Sequence, residues 1–244
     1  MAKKNKHLHK HLLTSDIKRF NRESISLELK KQKVQINGKN YTLIYHKPLR
    51  AKLSLICSTL SKCSKSLLSS MNATIVILPT NDTFVRDKMG GSTGYTPSGH
   101  KVIVWIYGLK ANKKSIISTV SHEYCHMVRR QDVFWGNTLI NGIAFEGLAV
   151  NFETKITGKT PPYATALSKK DAKKLWKRIK NRLNRGSGLT YDKLFFGSDD
   201  MPRWGGYALS YYLIRNLLLK NKSDFKSLIK IKSKDLVYEA LRFW

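Results

Sequence analysis

The sequence predicts an α+β fold: a small mixed N-terminal sheet with helices packed on it, one long helix carrying the chemistry, then a mainly helical C-terminal lobe. Three observations lead there. Short alternating runs flank Asn37-Gly38, a strong hairpin signal. Two apolar runs, Ala73–Leu78 and Lys101–Tyr107, have the length and β-branched content of strands. From Asn112 onward most of the chain reads as helix.

In chain order, residues 1–22 are basic and without clear periodicity, which predicts a mobile arm or a frayed helix. Lys33–Ile36 and Asn40–His46 form the hairpin. Apolar residues at Leu49, Leu53, Ile56, Leu60, Cys63, Leu67 and Met71 predict a long amphipathic helix. Ala73–Leu78 reads as a buried strand, Asn81 to Gly99 as a loop, and Lys101–Tyr107 as a second strand. Asn112 caps a helix over Lys113 to Arg130, whose paired arginines suit its negative C-terminal end. A second helix runs from about Leu139 to Thr154, and further helices cover Ser168–Leu183, Gly206–Lys220, Ser223–Ile231 and Lys234–Phe243. Residues 23–244 thus make one two-lobed domain, with a sheet lobe over about 30–130 and a helical lobe over about 138–244.

Composition narrows the function. The 244 residues carry 45 Lys plus Arg against 16 Asp plus Glu, a net charge of +29. At 41% hydrophobic the chain has material for a core, which excludes wholesale disorder. No apolar run approaches the ~18 residues of a membrane span, and no signal-peptide core precedes Asp16 and Lys18. Three cysteines without a C-x-x-C pair exclude a disulfide framework or a zinc ribbon and predict a cytoplasmic protein. The charge is uneven: residues 115–165 hold four basic and four acidic side chains, a neutral window in a basic chain. Outside it, Lys169–Arg185 is a basic amphipathic helix with Leu175, Trp176, Ile179 and Leu183 inward. It supports a competing reading, a protein attached to nucleic acid or an anionic membrane surface. No zinc ribbon, recognition helix or RNP-type strand accompanies it. His7, His9 and His11 read as solvated, and Asp199-Asp200 as an exposed turn.

The neutral window holds His122-Glu123-Tyr124-Cys125-His126. On a helix the two histidines lie one turn and about 40° apart, so both imidazoles reach one ion, with Glu123 beside the metal where it can hold a water. No histidine follows His126 and no cysteine follows Cys125, so a third ligand must be a carboxylate. Glu146, in the apolar stretch Ile143–Ala149, is the candidate, because a carboxylate buried there wants a cation. Arg129 or Arg130 is the alternative partner for it. Cys125 reads as a packed thiol near the rim of the metal face.

With these residues in view, the chain resembles the gluzincins and, more narrowly, the bacterial YjaZ-like family of predicted zinc-dependent proteases. The resemblance spans about residues 73–220 and rests on four ordered motifs. They are Gly90-Gly91-Ser92-Thr93-Gly94-Tyr95-Thr96-Pro97, His122–His126, Glu146–Ala149 and Trp204-Gly205-Gly206-Tyr207. It departs at Ser210 and Cys125, and Val150 replaces the thermolysin-type aspartate. The resemblance implies a zincin-like fold and a single catalytic Zn2+ on His122, His126 and Glu146. It also implies peptide hydrolysis with Glu123 as general base and Tyr207 as oxyanion donor, with Tyr211 in reserve. The strand Val102–Ile106 would offer its edge to an extended substrate. A basic exterior around a neutral cleft favours acidic peptides or proteins.

Overall fold

The computed structural model describes residues 27–244 apart from 110, 137, 184–187 and 221–223. The basic arm 1–22, with His7, His9 and His11, lies outside the described residues. The chain divides into two compact units, one ending at Val128 and the other running from Arg129 to Trp244.

The first unit is built on a five-stranded mixed sheet of order β1-β2-β3-β5-β4. Strands β1 (Leu29–Ile36) and β2 (Lys39–His46) form the hairpin. Its turn uses positive φ at both Asn37 and Gly38, the conformation whose twist matches paired strands. The exposed residues of β1 include Lys30, Lys31 and Lys33, which blunt that sheet edge. Strand β2 pairs parallel with β3 (Ala73–Pro79), and β3 pairs parallel with β5 (Lys101–Ile106). Both β3 and β5 are buried on their two faces, which is why they read as unbroken apolar runs. Across one face Leu29, Ile44, Val76, Leu78, Ile103 and Trp105 form a continuous core.

Two sequence expectations change here. The helix after the hairpin, α1 (Leu53–Ser66), stops short of Met71: Leu67 is its buried C-cap, and Met71 is exposed. The segment expected as a loop folds into a short helix, α2 (Thr83–Lys88), capped by Asp82, and a strand, β4 (Ser92–Ser98). Strand β4 pairs antiparallel with β5, with a register shift between Tyr95 and Ser98. Its glycine and proline hide it from a propensity reading, yet an edge strand tolerates both. Strand β5 therefore lies inside the sheet, and the edge expected of Val102–Ile106 belongs to β4.

Helix α3 (Lys113–Asp132) starts where Asn112 Oδ1 accepts the Lys114 N–H at 2.9 Å. The first unit grips it through buried polar contacts. Tyr124 donates its hydroxyl to Leu67 O at 2.8 Å, and Ser92 Oγ bonds Thr119 Oγ1 at 2.9 Å.

Among its described residues, the second unit contains the last turn of α3 and six further α-helices. They are α4 (Leu139–Thr157), α5 (Lys169–Ile179), α6 (Tyr191–Phe196), α7 (Gly205–Lys220), α8 (Phe225–Leu228) and α9 (Ser233–Leu241). Helix α4 is buried continuously from Gly142 to Glu153, the pattern of a helix enclosed on all sides. It lies against α7 so closely that a Cβ at Gly147 would sit 2.7 Å from Ser210 O. Asn151 Nδ2 locks the pair by donating to Tyr211 O at 3.0 Å. Helix α5 stops at Ile179, short of the expected Leu183; it buries Leu175 and Ile179 together with Ala172, leaves Trp176 and Leu183 half-buried, and exposes lysines. Among the described residues no helix is long and apolar enough to cross a membrane.

Candidate metal centre

In the first unit, α3 sets His122 and His126 one turn apart, with their Nε2 atoms 3.0 Å from each other and their rings nearly perpendicular. A tetrahedral zinc with bonds of about 2.0–2.1 Å holds its ligand nitrogens roughly 3.3 Å apart. Two imidazole nitrogens already converging on one point fit that requirement. His126 and Glu123 are buried, and His122 is half-buried.

Strand β4 shapes the surroundings of Glu123. Thr96 Oγ1 donates to Glu123 Oε2 at 2.6 Å, fixing the carboxylate. A Cβ on Gly94 would lie 2.3 Å from Glu123 Cγ and 2.9 Å from Oε1, so glycine alone leaves space for the carboxyl group. Both residues stand in the Gly90–Pro97 motif. Their role was not readable from it, because only the fold carries β4 to the glutamate.

In the second unit, Glu146 is 3% exposed on α4. Tyr191 donates its hydroxyl to Glu146 Oε1 at 2.7 Å. Burial and then the neighbouring Glu146 charge push the Tyr191 phenol well above its ordinary pKa, so it remains a donor. Two turns along α4, the equally buried Glu153 accepts a short hydrogen bond from the Tyr163 hydroxyl. Burial first, then Glu153, raises the Tyr163 phenol in the same way. Arg129, weighed above as a partner for Glu146, directs its guanidinium to the carbonyls of Ile229 and Ile231 and lies over the Phe145 ring. Arg130 lies over Trp135.

Of the two tyrosines expected as oxyanion donors, Tyr207 stands among the site aromatics. Its ring centroid is 5.1 Å from Tyr163 and 5.0 Å from Phe195. Tyr211 instead shares a hydrogen bond with Thr160 Oγ1 at 3.3 Å and packs on Tyr212. Asp199-Asp200 lies in an exposed turn closed by Ser198 and Met201. Cys125 is buried. Sequence reasoning missed Tyr191, Tyr163 and Glu153. Glu153 alone left a trace, as a second acid in the apolar stretch that follows Glu146.

A family model described as "Predicted Zn-dependent protease (DUF2268)" matches residues 53–238. Comparison with curated proteins returns no match. Among solved structures, the chain is similar to an aminopeptidase N family protein from Idiomarina loihiensis, with 14% identity and a TM-score of 0.45 over 87% of this chain and 41% of that one. It is also similar to an M1 zinc metallopeptidase from Deinococcus radiodurans, with 13% identity and a TM-score of 0.41 over 88% of this chain and 44% of that one. The chain thus spans less than half the length of these two proteins.

Proposed function

The chain belongs to this family of predicted Zn-dependent proteases, and on that basis we propose that it is a gluzincin-type metallopeptidase whose single zinc ion is held by His122, His126 and Glu146. The observation that carries the reading is the pair of imidazole Nε2 atoms 3.0 Å apart on α3, with a positioned carboxylate at Glu123. A buried carboxylate at Glu146, oriented by a phenol, supports the third ligand.

Zinc, when bound, supplies Lewis-acid polarisation of the scissile carbonyl and makes water a better nucleophile at neutral pH. Glu123, steadied by Thr96, takes the proton of the attacking water. As the C–N bond breaks, it passes that proton to the leaving amine. The Tyr207 phenol donates to the oxygen that gains negative charge in the tetrahedral transition state. The edge of β4 pairs with an extended peptide or protein substrate, and the basic exterior favours acidic ones. The cysteine content supports a cytoplasmic setting.

The test is hydrolysis of a peptide library by the zinc-loaded chain. Tyr207→Phe should lower kcat by about 10²–10³-fold with KM nearly unchanged, because the phenol acts only on the transition state. A Tyr207→Phe enzyme within threefold of wild type in kcat removes Tyr207 from the reaction. No cleavage of any library member by the zinc-loaded chain removes the peptidase reading.

A further inference from the structure

We propose that Tyr191 is a positioning residue of the metal centre, its hydroxyl fixing the Glu146 carboxylate. The proposal rests on the reading of Glu146 as a zinc ligand. Tyr191 opens α6, a short helix that the sequence pattern did not predict and that Thr190 caps by accepting the Lys193 N–H.

The ring of Tyr191 has little freedom. It stacks on Phe195 one turn later, with centroids 4.3 Å apart and planes 19° from parallel. The backbone of α4 backs it at Gly142, where a Cβ would come within 3.0 Å of Tyr191 Cδ2. Trp135 and Phe196 stand at 6.5 and 6.2 Å. A ring held on these sides aims its hydroxyl in one direction, and in that direction lies Glu146 Oε1 at 2.7 Å.

The consequence follows from the torsions. The last torsion of a glutamate is broad, so the carboxylate plane is set by whatever bonds its oxygens. Here a donor on a fixed ring sets it. A phenol has one proton. Here that proton is directed at Glu146 Oε1. Removing the Tyr191 oxygen leaves the ring packing intact and frees the Glu146 carboxylate. Partners of this kind, hydrogen-bonded to a ligand but not to the metal, typically cost 10–100-fold in metal affinity when lost.

The experiment measures zinc affinity by competition with a chromophoric chelator for wild type, Tyr191→Phe, Glu146→Ala and the double variant. Thermal unfolding of the apo proteins is recorded alongside. Tyr191→Phe should weaken zinc binding about 10–100-fold. It should lower kcat more than it raises KM, with an unchanged apo melting temperature. In the Glu146→Ala background it should weaken binding no further. Gly142→Ala, which pushes on the ring, should shift zinc affinity in the same direction as Tyr191→Phe. Unchanged zinc affinity in Tyr191→Phe beside a weakened Glu146→Ala overturns the positioning role and leaves the ligand assignment standing. Equal weakening by Tyr191→Phe with and without Glu146 also overturns it. Unchanged affinity in Glu146→Ala overturns the ligand assignment itself.

Discussion

Glu123→Gln is expected to lower kcat/KM for peptide hydrolysis by about 10²–10⁴-fold while one zinc per chain stays in place. Glutamine keeps the shape of the side chain and an oxygen that can accept the Thr96 hydroxyl, so the contact with β4 survives. It cannot take a proton from water at neutral pH. The loss therefore falls on kcat, with KM and the melting temperature close to wild type. Steady-state kinetics on one cleaved peptide, with metal content measured on the same sample, separates this outcome from loss of the ion. Activity within tenfold of wild type would show that another group acts as the base.

The largest effect on stability is expected at Arg129. Its side chain is fully buried, and it donates to Ile229 O at 2.8 Å, to Ile231 O at 2.9 Å and to Ser233 Oγ at 3.2 Å. It also lies 4.6 Å from the Phe145 ring centroid. The charge thus stands against carbonyls just past the C-terminal end of α8, where a cation is favoured. Truncation removes the cation, leaves buried acceptors without their donor and opens a cavity beside Phe145. Arg129→Ala should cost about 3–5 kcal/mol. Arg129→Lys, with fewer donors, should recover part of that loss. Urea unfolding followed by tryptophan fluorescence reads the shift. A loss below about 1 kcal/mol would mean that water or neighbouring groups replace the guanidinium.

These two residues show what was legible. Glu123 announces itself because two histidines one helical turn apart are a local pattern, and local spacing survives in the sequence. In the sequence Arg129 reads as an arginine that complements the end of its own helix. Its actual partners lie about a hundred positions later, where no spacing rule reaches. The β4 segment reads as a loop in the sequence, because residues such as Gly94 and Pro97 argue against a strand. The reason for glycine at 94 is the Glu123 carboxyl group, visible only once β4 and α3 are side by side. Strands β3 and β5 were plain as apolar runs, yet which of them lay at the edge depended on β4. Glu146 stood out as an acid in an apolar stretch. Tyr191, which orients it, sits in a segment with no periodic signal.

The neutral window 115–165 in a chain of net charge +29 now has a physical content. It holds Glu123, Glu146 and Glu153, three buried acids each hydrogen-bonded by a hydroxyl or a phenol. Such buried acids need specific hydrogen-bond partners.

The most direct test of the account is zinc per chain after purification and exhaustive dialysis, for wild type, His126→Ala and Glu146→Ala. The account predicts one zinc per wild-type chain and well under one in each variant, with the fold retained by circular dichroism. A wild-type chain that holds no zinc, or a His126→Ala chain that still holds one, would contradict it.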